Sequence, residues 1–187
     1  MRIPRIFYSS ETGRPFEHCM VCNTYLLADG MSYAVEKVIR QVPSLKNKET
    51  LFEYAVCSAC MFTMYNKMSV ESRQKIQEYF LKHDAQNQRR KDLSNNQNSR
   101  TQSWIKHCFI HDTLISEAPE YQLTAQFTGK HLNKDHMPFA ISFEAMEEMN
   151  SLLSDETREE MDDFIGEYFS GPPEIAALLK SKRLVLI

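Results

Sequence analysis

Two cysteine pairs constrain this chain more than anything else in it. Cys19-Met20-Val21-Cys22 and Cys57-Ser58-Ala59-Cys60 each leave two residues between their cysteines. That spacing lets both sulfurs of a pair turn toward one ion, and peptide N–H groups in the same turn donate to the sulfurs. Two such pairs make a closed four-thiolate site, the chemistry of structural zinc. Cys19, Cys22, Cys57 and Cys60 are therefore the expected metal ligands, with Zn2+ as a structural cofactor. A thioredoxin-like redox site would need one such motif between a strand and a helix, not two.

The bulk composition fits a globular protein: 42% of the 187 residues are hydrophobic and 25% charged. No run approaches the ~18 apolar residues of a membrane span, and the N-terminus lacks the apolar core of a secretory signal. The expectation is a cytoplasmic protein with no membrane partner. There the fifth cysteine, Cys108, makes an odd count that disulfides would not explain. Net charge is −3, split as +5 over residues 1–103 and −8 over 104–187. A surplus that small does not by itself predict nucleic-acid binding.

Read in order, Thr24–Ile39 suggests two short strands around Asp29-Gly30, a pair that favours a tight hairpin turn. Tyr33, Val35 and Lys37 alternate with Ala34, Glu36 and Val38. Residues 43–48 read as a loop and 51–56 as a strand running into Cys57. From Cys60 the period becomes helical, with Met61, Met64, Tyr65 and Met68 on one face. Ser69 is placed to cap a second helix, with Glu71 in its first turn and Ile76, Tyr79 and Phe80 turned inward. Residues 84–103 are nearly devoid of apolar side chains and read as a polar linker, whose first part can extend the helix and whose core is Ser94–Ser99. Its run Arg89-Arg90-Lys91 reads first as a solvated helix end and second as a contact for an anionic partner.

Trp104 opens a second half. Residues 121–128 alternate as a strand that Gly129 ends, and 138–142 form another. Glu144–Leu153 is helical, Ser154 caps a last helix, and Gly171-Pro172-Pro173 stops it. Leu184–Ile187 is an apolar tail. This order repeats the first half. Phe16–Cys22 aligns with Ile105–His111, Tyr33 with Tyr121, and residues 55–80 lie without a gap over 140–165. Met61 and Met64 match Met146 and Met149, and Ser69–Arg73 matches Ser154–Arg158. Cys57 and Cys60 face Ser142 and Ala145, so the second half keeps only Cys108 and His111 of the metal positions. A second site of Cys108, His111, His131 and His136 is chemically possible, and a decayed knuckle with exposed histidines is the alternative. Glu144, Glu147, Glu148 and the acids of 156–163 read as the solvated faces of helices.

A knuckle with CMVC, a hairpin at Ala28-Asp29-Gly30 and CSAC ahead of a helix resemble the treble-clef zinc fingers over about residues 16–82. That resemblance implies an α+β fold of two tandem treble-clef-like units, the first zinc-bound and the second degenerate. The expected division is 1–83, a linker at 84–103, and 104–187. Treble clefs include ribosomal proteins, DNA-binding modules and nucleases of the His-Asn-His type. The nucleases carry a histidine on the strand and another on the helix. Here the helix offers Met64, Tyr65, Asn66 and Lys67, and no histidine precedes Cys57 within the hairpin. No phosphate loop, nucleophile elbow or catalytic triad is present. The expected function is non-enzymatic: a zinc-stabilised binding or scaffold protein with a protein partner. The alternatives are a nucleic-acid-binding zinc finger and a degenerate nuclease.

Overall fold

The computed structural model describes residues 2–42, 47–96, 100–133 and 135–168. The sequence expectations for Gly171-Pro172-Pro173 and Leu184–Ile187 lie outside the described residues. The described part is mixed α/β, built on one antiparallel sheet. Strands β1 (Ser32–Val42), β2 (Asn47–Cys57), β3 (Glu120–Thr128) and β4 (His131–Leu132) run in the order β2-β1-β3-β4, and β5 (Phe139–Ser142) also pairs with β3. Six helices accompany them: α1 (Ser58–Lys67), α2 (Val70–Gln86), α3 (Gln88–Asn95), α4 (Thr101–Trp104), α5 (Phe143–Ser151) and α6 (Asp155–Tyr168). A 3-10 turn, Arg5–Phe7, precedes them all. No described helix is long and apolar enough to cross a membrane.

The centre of the sheet joins the two halves of the chain. β1 and β3 pair antiparallel from Ser32↔Thr128 to Arg40↔Glu120, with Glu36 opposite Thr124 in the middle. Because both faces are covered, every residue of β1 from Tyr33 to Ile39 is buried. One face carries Tyr33, Val35, Leu123 and Phe127, and Phe7 packs edge-on to Phe127 at 5.7 Å. Helices lie on the other face: Phe164 of α6 meets Tyr54, and Phe80 of α2 meets Phe139. Full coverage buries Glu36 on one face and Lys37 on the other. Lys37 Nζ offsets that cost with three partners: Glu53 at 2.8 Å, Tyr8 O at 2.7 Å and Ser10 Oγ at 3.0 Å.

Three local expectations are corrected. No hairpin forms around Asp29-Gly30. Residues 24–26 spend their backbone groups on closing the cysteine knuckle: Cys19 N–H donates to Thr24 O and Leu26 N–H to Glu17 O. Leu26 drops into the core at 0% exposure. Asp29-Gly30 is instead the turn into β1, and Gly129 sits against it. Gly129 holds φ +54° and donates to Met31 O, and a Cβ there would stand 2.8 Å from Ala28 O. The hairpin partner of β1 is β2, which starts at Asn47, inside the stretch read as a loop. The first part of the stretch 84–103 is helical, as expected, but its basic run is not a solvated helix end. Arg90 explains why: its guanidinium lies 4.9 Å from the Trp104 ring centre and 4.6 Å from that of Phe109. Burial there lowers the Arg90 pKa to about 10.

Both helix caps appear where expected. Ser69 accepts from Ser72 N–H and Ser154 from Thr157 N–H. The two caps also hold each other. Ser69 N–H donates to Thr157 Oγ1 at 2.9 Å, Ser154 N–H donates to Ser72 Oγ at 2.8 Å, and the two capping hydroxyls stand 2.9 Å apart. α2 and α6 therefore start from one reciprocal polar cluster.

Candidate metal centre

The first cysteine pair sits on a tight knuckle. His18 bridges Tyr25 across it, and Asn23 takes the left-handed conformation, φ 58°, that Asn tolerates better than most residues. Met20 N–H donates to Ala55 O, which docks the knuckle on the end of β2. β2 passes directly into α1, so Cys57 is both the last strand residue and the helix N-cap, and Cys60 falls in the first turn. Cys57 N–H points at Cys19 Sγ, 3.4 Å away.

These elements bring all four expected ligands together. Their sulfurs lie within 4.8 Å of one another, and Cys22 Sγ to Cys57 Sγ is 3.7 Å. A tetrahedron of sulfurs ~2.3 Å from one ion has edges of about 3.8 Å. A disulfide would need about 2.05 Å, and all five cysteines are free thiols. The set therefore fits a soft divalent ion. Cys19 and Cys57 are buried, Cys60 is half-buried and Cys22 is exposed. Hydrogen bonding with the Thr24 side chain and backbone lowers the Cys22 pKa to about 6, while burial pushes the Cys57 and Cys60 thiols up. A cation arriving at Cys22 would meet one thiolate and displace protons from its neighbours.

The corresponding corner of the second half keeps the backbone and loses the ligands. Cys108 N–H donates to Thr113 O, Phe109 N–H to Ala140 O, Asp112 holds φ 55°, and Ser142 N–H points at Cys108 Sγ from 3.4 Å. Each repeats a contact of the first knuckle. Ser142 stands where Cys57 does and caps α5 by accepting from Ala145 N–H. Ala145, in the place of Cys60, is fully buried. His111 turns to Glu148, at 3.1 Å, and His107 to the backbone oxygen of Asp112. His131 and His136 are exposed. Among the described residues the four-cysteine group is the one cluster that could hold a metal, so Cys108, His111, His131 and His136 are not brought together.

Sequence reasoning did not single out the polar group under α1. Tyr54 Oη donates to Glu36 Oε2 at 2.6 Å, and Gln122 Nε2 donates to the same oxygen at 3.0 Å. The available signal was the charged pair Glu36-Lys37 inside an otherwise apolar strand. Comparison with protein-family models, with curated proteins and with solved structures finds no match for this chain.

Proposed function

We propose that this chain is a non-enzymatic binding protein held in shape by one structural zinc ion on Cys19, Cys22, Cys57 and Cys60. The observation that carries the reading is the closed set of four sulfurs. A catalytic zinc keeps a position open for water or substrate, whereas four thiolates fill the tetrahedron. The order of knuckle, β1–β2 hairpin and cysteine-started helix supports a treble-clef-like unit. The repeated knuckle contacts and the reciprocal Ser69 and Ser154 caps support a second, metal-free unit of the same ancestry in residues 104–168. A protein partner is favoured over nucleic acid because the basic run is engaged within the chain. Arg89 Nε pairs with Asp112 at 2.6 Å, and Arg90 lies between two aromatic rings beside Asp84. The proposed location is the cytoplasm, where thiols stay reduced.

The test is metal analysis of the purified native chain together with Cys57→Ser and Cys60→Ser. One zinc per chain, lost in both variants, is the expected result. Metal-free native protein, or an ion retained by both variants, overturns the reading. Specific, steeply salt-dependent binding to DNA or RNA in a gel-shift assay would move the assignment to the nucleic-acid class.

A further inference from the structure

Between α1 and the sheet lies a cavity of about 200 Å3. Val56, Met61 and Met64 form its apolar wall, and Phe62, 66% exposed, stands at its edge. At its base is Glu36, 2% exposed. Buried carboxyl groups are costly unless paired, and this one has no Lys, Arg or His partner among the described residues. The cation next to it in sequence, Lys37, points to the opposite face and is held by Glu53. Both neutral donors, Tyr54 Oη and Gln122 Nε2, go to Oε2, which leaves Oε1 without a hydrogen bond from the described residues.

The matched position under α5 sharpens the point. Thr124 stands opposite Glu36 at the centre of the β1–β3 pairing and takes its place in the second half. There Met146 and Met149 close onto the sheet at 1% and 0% exposure. The corresponding Met61 and Met64 remain half-exposed around the cavity. An acid and an open methionine face occur together on one side; on the other the acid is replaced by Thr124 and the methionines are sealed.

We propose that this cavity binds a small apolar monoamine as its cation, with the ammonium on Glu36 Oε1 and the hydrocarbon body against Met61 and Met64. Charge complementarity selects the cation: Glu36 releases its proton to solvent as the ammonium enters, and the ammonium then supplies the donors that Oε1 lacks. Thioether walls adapt to the shape of an apolar body. The volume equals six or seven waters at ~30 Å3 each, enough for a single ring with a short amine arm and too little for a peptide. This site is separate from the cysteine cluster, and its test does not depend on which metal that cluster holds.

The experiment is a titration of the full-length, metal-loaded chain with 2-phenylethylamine and with 2-phenylethanol, its neutral counterpart, followed by methionine-methyl NMR and calorimetry. The expected result is saturable binding of the amine, roughly tenfold or more tighter than the alcohol, with shifts at the Met61 and Met64 methyls. Glu36→Gln should remove that preference while metal content and melting stay near those of the native chain. Phe62→Ala, at an exposed position with little bearing on folding, should weaken the amine about threefold or more. Absence of saturable amine binding, equal affinity for the alcohol, or an amine preference that survives Glu36→Gln overturns the proposal. Should the Gln variant fail to fold, the amine-to-alcohol ratio in the native and Phe62→Ala chains decides alone.

Discussion

Two corners of this protein share a backbone and differ in what fills them. At the first, Cys19, Cys22, Cys57 and Cys60 surround a space that fits an ion. At the second, Cys108 receives the same N–H contact from Ser142, and the rest of the space belongs to a helix cap and a buried Ala145. The helices that leave these corners differ accordingly. α1 has no fully buried residue, whereas α5 buries Ala145, Met146 and Met149. An ion on Cys57 and Cys60 would fix α1 at its first turn, so its apolar face need not be sealed. A helix without that tether must be held by packing. The comparison teaches that a helix tethered by an ion at its first turn could leave its apolar face free for other uses.

Removing the tether should have the largest effect. Chelation, or Cys57→Ser, is expected to lower the melting temperature sharply, because structural zinc contributes folding free energy directly. Amide exchange should show protection lost first at residues 17–26 and in α1. Residues 106–115 and the β1–β3 pairing should hold longer. Equal loss at both knuckles would break the contrast.

Truncating the helices tests the other side. Met149→Ala is expected to cost about 2–5 kcal/mol, the range for deleting a buried methionine side chain. Met64→Ala, on the half-exposed face of α1, should cost less than half as much by denaturant titration. A reversed order would mean that packing, not the ion, holds α1.

Glu36 gives a smaller effect with a definite sign. Burial pushes its carboxyl up from 4.5 to about 8, against the hydrogen bond from Tyr54. The folded chain therefore keeps a proton that the unfolded chain gives up. The stability this contributes is fully present below pH ~4.5 and is lost as pH rises toward 8. Glu36→Gln should flatten that slope relative to the native chain at equal metal loading. Thermal melts at several pH values measure it, and parallel slopes would place the ionised acid in the folded state.

The smallest expected effect is at the caps. Ser69→Ala and Ser154→Ala should each cost about 0.5–2 kcal/mol. Their hydroxyls touch, so the double variant should depart from the sum of the singles. Strict additivity would mean that the two helix starts are independent.

The parts legible in the sequence were those with local causes. The Ser-x-Glu-Ser/Thr-Arg spacing marked the cap of α2 and, with its Asp-Glu first turn, that of α6. Two residues between cysteines marked the four thiols that the fold brings together. β3 showed itself by alternation and by Gly129 at its end. Parts with distant causes were hidden. Asp29-Gly30 favours a hairpin turn on local grounds, but Leu26 and Thr24 are committed to Glu17 and Cys19. Residues 88–95 look solvated until Arg90 meets Trp104 and Phe109. Glu36 looks like a surface acid until helices cover the second face of β1, and that covering comes from residues far along the chain.

The central pairing of β1 with β3 also bears on how the chain is made. Its partners lie about ninety residues apart, from Ser32↔Thr128 to Arg40↔Glu120. β2 can fold back on β1 early in synthesis, while the far edge of β1 must wait until β3 has left the ribosome. Long-range pairing of this kind slows folding and leaves a strand edge open to other chains in the interval. The first knuckle and its four cysteines are complete by residue 60, long before that edge is covered. Early capture of an ion there would give the nascent chain a folded anchor during its most aggregation-exposed interval.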